Sequence, residues 1–211
     1  MVKQSMPVPS FTEEDFKVFH VDGLDPRMEE IRKRIRPKFE QIGEQITPYL
    51  ELLLGEPIYM HIAKHARRTV NPPEETWVAW SNNKRGYKAH PHFQFGICDT
   101  SLFIWFALIY ENRRKPDFAR NLRQQLEEIW PRIPDHFYIS EDHTVPTATP
   151  KQEWDIERGL NRLEKVKKAE FLCGMRIPRR EAIQLSGEEL VKQIESTFQS
   201  LQPLYRLAVS S

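Results

Sequence analysis

The nine residues Leu102–Tyr110 (LFIWFALIY) carry no charge and are apolar on both alternating faces. A helix that crosses a bilayer needs about 20 such residues, so this run is too short to span one. Its aromatic and β-branched content favours a strand. A strand apolar on both sides cannot border water. It predicts a central strand covered on both faces by the rest of the chain, or partly by another subunit.

The neighbouring segments supply the sheet. Residues 58–63, 76–81 and 92–98 are rich in aromatic and β-branched side chains and are bounded by Pro, Gly, Asn or Asp. Asp99-Thr100-Ser101 is short enough to join the last of these to the apolar run as an antiparallel hairpin. Short strands are expected over 137–139 and 169–176, with 141–150 a surface loop.

Helices flank this centre. Met28, Ile31, Ile35, Phe39, Ile42, Ile46, Leu50 and Leu53 form one helical stripe after the Asp25-Pro26 start signal. Pro37 and Pro48 interrupt it, which predicts a kink or a break near Thr47-Pro48, and Gly55 is its stop. Capping boxes at Thr12/Asp15 and Ser186/Glu189 open a short first helix and a long last one, and two further helices are expected over 116–129 and 154–166. Clustered strands with flanking helices argue for an α+β fold with a largely antiparallel sheet. The 211 residues suffice for one domain, 1–211, with a loose tail over 1–10. That tail lacks the apolar stretch of a signal peptide. Cys98 and Cys173 each lie in an apolar run and read as buried, reduced thiols. A cytoplasmic protein without a membrane partner is the expectation.

Charge is distributed unevenly. The whole chain carries a formal net charge of +1, yet Lys64–His92 holds six Lys/Arg against Glu74 and Glu75, a net of +4. The two basic runs are Lys64, Arg67, Arg68 and Lys84, Arg85, Lys88, with His65 and His92 beside them. Arg offers bidentate contacts to phosphate and Lys a point charge. Asn82, Asn83 and Gly86 suit a turn whose N–H groups could reach an anion. Tyr87, Trp77, Trp80 and Phe93 offer rings for stacking. His65 or His92 could serve as an acid/base. The positive surroundings argue against a metal at His61/His65 or His90/His92, and no cofactor-binding glycine motif is present. The acid pairs read as solvated helix charge.

Residues 63–73, Thr76-Trp77-Val78-Ala79, Lys84-Arg85-Gly86-Tyr87-Lys88 and Pro91-His92-Phe93-Gln94 are similar to one bacterial family. So are Ile133-Pro134-Asp135-His136-Phe137, Val166-Lys167-Lys168-Ala169-Glu170 and Leu204-Tyr205-Arg206-Leu207. Together they resemble the YktB-like family of uncharacterised proteins from Bacillus and its relatives, from about Phe11 to the C-terminus. The resemblance implies an α+β fold with a TATA-binding-protein-like arrangement: a curved antiparallel sheet with helices on one side. It implies no activity and no catalytic residue.

Three functions follow as expectations. The first is a non-enzymatic binding module whose basic surface engages nucleic acid or a phosphorylated small molecule. The second is a phosphate-ester hydrolase or transferase with His65 or His92 as acid/base. The third is an assembly subunit in which the basic patch is incidental.

Overall fold

In the computed structural model, which describes residues 8–210, helices and strands follow one another around a single seven-stranded sheet. The expected loose tail lies outside the described residues over 1–7. Thr12 caps α1 (Glu13–Phe16), its N–H donating to the Asp15 carboxylate at 2.7 Å. Then come α2 (Leu24–Glu30), a π-turn (Ile31–Ile35) and α3 (Arg36–Leu54). Strands β1 (Tyr59–Ile62), β2 (Glu75–Ser81), β3 (His92–Cys98) and β4 (Ser101–Leu108) follow. Helices α4 (Lys115–Gln124) and α5 (Leu126–Ile129) lead to β5 (Tyr138–Ser140) and β6 (Thr149–Pro150). Helix α6 (Ile156–Lys165), β7 (Phe171–Pro178), α7 (Arg179–Ala182) and α8 (Gly187–Val209) complete the chain.

The strand order is β1-β2-β3-β4-β7-β5-β6, and every neighbouring pair is antiparallel. Strand β4 is the fourth of seven, and all eight of its residues are buried. Alternation divides them. Leu102, Ile104, Phe106 and Leu108 join the main core, whereas Phe103, Trp105 and Ala107 join a second, smaller cluster on the opposite face.

Helices α3, α4 and α8 cover the first face. Phe93 sits between Phe198 at 4.6 Å and Tyr205 at 5.2 Å (ring centroids), and Phe106 meets Phe118 of α4. Each such fully buried aromatic contributes ~1.5–3 kcal/mol through lost apolar hydration. The C-terminal half of α8 also completes the end of α3. Gln202 and Arg206 both donate to the otherwise unpaired Leu53 carbonyl, at 2.8 and 3.2 Å. Loop residues, not helices, close the second face, with Ala63, Tyr87 and Ala148 packed on Trp77, Trp105 and Leu172.

Three sequence expectations change. The first long helix begins two residues earlier, at Leu24 with Gly23 as its cap, so Asp25 lies inside the first turn. The discontinuity falls before Pro37, not at Pro48. Arg36 N–H reaches back to the Ile31 carbonyl, and this wider turn accommodates a proline that neither donates nor tolerates the preceding carbonyl. Helix α3 continues unbroken through Pro48, where the Thr47 hydroxyl donates to the Gly43 carbonyl at 2.7 Å. Thirdly, the 116–129 segment divides into α4 and α5 at Gln125. Gly55 ends α3 as expected, in a left-handed conformation at φ 73.

Gly174 of β7 faces Trp105 across the sheet, and a Cβ there would lie 2.0 Å from the Ile104 carbonyl oxygen. Backbone in a central strand cannot step aside. Gly174→Ala should therefore destabilise the protein by at least ~1–3 kcal/mol in urea denaturation. Gly86→Ala, where nothing lies within 4 Å, should stay within ~0.5 kcal/mol of wild type.

Candidate functional site

The second face of the sheet holds the polar chemistry. Along β2 it presents Glu75 and Trp77, along β3 His92 and Gln94, and along β7 Leu172 and Arg176. Two open clefts, of about 840 and 630 Å³, run over this face and meet at Tyr110, His143 and Thr144. Both volumes fall within the range of small-molecule sites.

The two basic runs, some twenty residues apart in sequence, line the same cleft. Lys64, His65, Arg67 and Arg68 come from the loop after β1, and Arg85, Tyr87 and Lys88 from the loop after β2. Lys64, Arg67 and Arg85 are exposed, with no side-chain partner among the described residues. Arg68 donates to the Asn71 and Pro72 carbonyls, both at 3.4 Å, which holds its guanidinium at the rim. Lys88 lies 3.8 Å from Glu111.

Several sequence candidates take other roles. Lys84 lines neither cleft. His92 is fully buried: its Nδ1 donates to the His90 carbonyl at 2.8 Å, so its Nε2 accepts from the Gln94 amide at 2.9 Å. Burial pushes its pKa down to about 3, partly offset by the His90 carbonyl, so it is a neutral structural histidine and cannot touch a ligand. Tyr87 is also buried, its hydroxyl accepting from Trp77 Nε1 at 3.0 Å. Trp80 and Phe93 belong to the main core. The exposed ring at this site is Tyr110 instead, 41% accessible.

His65 remains in the cleft but is unsuited to proton transfer near neutrality. Its Nε2 pairs with the Thr76 hydroxyl at 3.1 Å, and its ring meets Trp77 edge-on at 5.4 Å. Burial, with Arg68, Arg36 and Lys88 nearby, lowers its pKa to about 4. Its φ of 52 is a left-handed conformation that costs a non-glycine residue ~1–2 kcal/mol. The Asn82–Gly86 turn is likewise self-satisfied, since Arg85 N–H donates to Asn83 Oδ1 and His61 Nε2 to the Asn83 carbonyl, both at 2.9 Å.

What the sequence reading missed is His143, which sits in the expected surface loop yet is only 8% exposed. Glu170, at the entry to β7, holds it in place. Glu170 accepts from His143 N–H at 2.7 Å, Tyr110 N–H at 3.0 Å and His143 Nδ1 at 2.8 Å. A carboxylate only accepts, so Nδ1 carries the proton. The Nε2 atom, with no hydrogen-bond partner among the described residues, is left to the groove. Asp142 anchors the loop by accepting from Thr144 N–H at 2.8 Å. The only sequence signals for this pair are a histidine inside a polar loop and an acid opening an apolar run.

Asp142, His143 and Glu170 offer potential ligand atoms within 4.8 Å of one another. The Glu170 oxygens, however, already accept three N–H groups, one of them Nδ1–H. A cation held through Nδ1 would cost the Nδ1–H bond to Glu170, so the pair as it stands is occupied in hydrogen bonding with itself.

Glu75 is the second missed residue. It is 7% exposed, lines the groove together with His143, and makes no hydrogen bond or ion pair among the described residues. Burial raises its pKa to about 8, against the lowering pull of Arg176. The folded protein therefore holds this proton more tightly than the unfolded chain, whose ordinary value is 4.5. Stability is lost as pH rises from the unfolded towards the folded value. Glu75→Gln should raise the melting temperature at pH 8 and converge on wild type at pH 4.5 and below. His92 acts in the opposite direction. Its contribution is complete above an unfolded pKa of ~6.5 and is lost as pH falls towards about 3. Acid denaturation curves of wild type should steepen there, by up to ~1.4 kcal/mol per pH unit.

Residues 11–205 match a family model described as "Domain of unknown function (DUF1054)". A UPF0637 protein of Bacillus velezensis is 46% identical over 200 residues, which cover 93% of this chain and 95% of the relative. One from Exiguobacterium sibiricum is 47% identical over 196 residues, with 93% and 96% covered. One from Shouchella clausii is 44% identical over 206 residues, with 98% of each covered. Among the described residues no helix is long and apolar enough to cross a membrane. The chain belongs to the UPF0637 family, characterised by the domain of unknown function DUF1054, in agreement with its YktB-like resemblance.

Proposed function

We propose that the groove on the second face of the sheet binds a phosphorylated small molecule. The observation that carries this reading is the convergence of Lys64, Arg67, Arg68 and Arg85, from two separate loops, on one cleft of about 630 Å³. Three of these side chains have no partner among the described residues, which leaves their charge to a ligand. The exposed ring of Tyr110 stands at the junction of the clefts and offers a surface for a planar group.

The dimensions favour a small ligand over polymeric nucleic acid. A coat for duplex DNA spreads positive charge along a face, whereas this chain is +1 overall and concentrates its charge at one rim. Two buried free thiols, Cys98 and Cys173, suit the cytoplasmic location in which such ligands abound.

Calorimetric titration with adenosine monophosphate, which carries both a phosphate and a planar ring, tests this reading. Saturable binding is expected at about 50 mM salt, weaker at about 200 mM because exposed charges are screened. Arg67→Glu with Arg68→Glu, and separately Arg85→Glu, should each weaken it at least ~10-fold, the equivalent of ~1.4 kcal/mol. No heat with adenosine monophosphate, but tight binding of a labelled oligonucleotide under the same conditions, would transfer the site to nucleic acid. Neither binding would remove the anion reading altogether.

A further inference from the structure

The groove contains more than a binding rim requires. His143 is fixed by a buried carboxylate, its Nδ1 proton is given to Glu170 at 2.8 Å, and its Nε2 is unpartnered among the described residues. A carboxylate that orients one imidazole nitrogen leaves the other as a base of defined direction. The ring is held from two further sides, by Trp77 edge-on at 6.0 Å and by Tyr110 at 6.0 Å.

Glu75 lies on the same floor. It is two residues before Trp77 on one face of β2, hence about 7 Å further along the strand, and it lines both the cleft and the narrow recess that His143 lines. A carboxyl that is more than nine-tenths buried, faces a groove and makes no hydrogen bond or ion pair among the described residues contributes little to the fold. Two proton-carrying groups of different chemistry thus border one basic cleft.

We propose that this groove hydrolyses phosphate monoesters, with His143 Nε2 as the base that activates water and Glu75 as the acid that protonates the leaving oxygen. The assignment rests on the phosphate-binding reading above. Water adds to phosphorus through its oxygen while the ester P–O bond breaks. The proton of the attacking water passes to Nε2, and the departing oxygen takes the Glu75 proton. One water is consumed, and an alcohol and inorganic phosphate are released. Transfer of the extra His143 proton to Glu75 through solvent restores both groups. Arg67 and Arg68 stand where positive charge stabilises the phosphoryl oxygens.

The test compares two substrates, 4-nitrophenyl phosphate, whose phenolate leaves without protonation, and β-glycerophosphate, whose alkoxide needs a proton. Turnover is measured with the purified protein in EDTA, alongside calorimetry with 4-nitrophenyl phosphate. Wild type is expected to release phosphate from both. His143→Gln should lower both rates about 100-fold or more, the usual size of a general-base contribution. Glu75→Gln should lower β-glycerophosphate turnover at least ~10-fold while changing 4-nitrophenyl phosphate less than ~3-fold, since acid catalysis matters only for the poorer leaving group. A merely structural Glu75 would affect both substrates alike, and that result would overturn its role. Binding of 4-nitrophenyl phosphate by wild type without turnover of either ester would overturn the catalytic proposal and leave the binding reading standing. Absence of both binding and turnover would remove the two together. Activity seen only when EDTA is left out, or unchanged in His143→Gln, would overturn the assignment to His143.

Discussion

Double-sided burial of β4 is the constraint from which the rest of the architecture follows. All eight residues from Ser101 to Leu108 are withdrawn from water, so the sheet needs a cover on each face. On one side α3, α4 and α8 provide it with aliphatic and aromatic stripes at helical spacing. Among the described residues no helix packs on the other side, and the loops after β1, β2 and β5 take that role. A helical cover can be uniformly apolar towards the sheet. A loop cover brings backbone polar groups and charged side chains with it, which is why the chemistry collects on the second face.

The polar groups on that face are disposed in two ways. Some are fully paired: His92 between His90 and Gln94, Tyr87 with Trp77, and Glu170 with three N–H donors. These pairings make the face rigid, and in doing so they take His92 and Tyr87 away from any ligand. Others have no hydrogen-bond partner among the described residues, namely Glu75, the Nε2 of His143 and the guanidinium groups of Arg67 and Arg85. An unpaired buried carboxyl costs stability that nothing in the fold returns.

Much of the scaffold was legible in the chain. The strand limits at Ser81 and Cys98, the hairpin at Asp99-Thr100, the capping boxes and the stop at Gly55 follow from local rules of side-chain alternation, capping and left-handed turns. Disturbance of the helix at Pro37 was expected and is found, whereas the break expected near Thr47-Pro48 is absent. Proline removes a donor wherever it stands, but where the helix yields depends on what packs against it, and α3 is held on both sides of Pro48, by Met60 of β1 at Gly43 and by α8 at Tyr49 and Leu53. The candidate site was half legible. Charge density pointed to Lys64–Arg68 and Lys84–Lys88, of which Lys84 lies outside both clefts, yet His143 and Glu170 are 27 residues apart in sequence and neither stands out locally.

By itself, then, the sequence determined the elements, the central position of β4 and the excess of positive charge between Lys64 and His92, because each depends on neighbours within a few residues. Only the tertiary structure decided which polar side chains face solvent, which are locked in pairs, and that the two basic runs share one cleft with His143 and Glu75. Those outcomes depend on burial and on partners brought together by strand order. Alternation along β3 shows that His92 shares a face with Gln94, but not that loops seal that face. Desolvation and hydrogen bonding, which set the chemistry of a histidine or a carboxyl, are properties of the packed molecule and have no local signature in the chain.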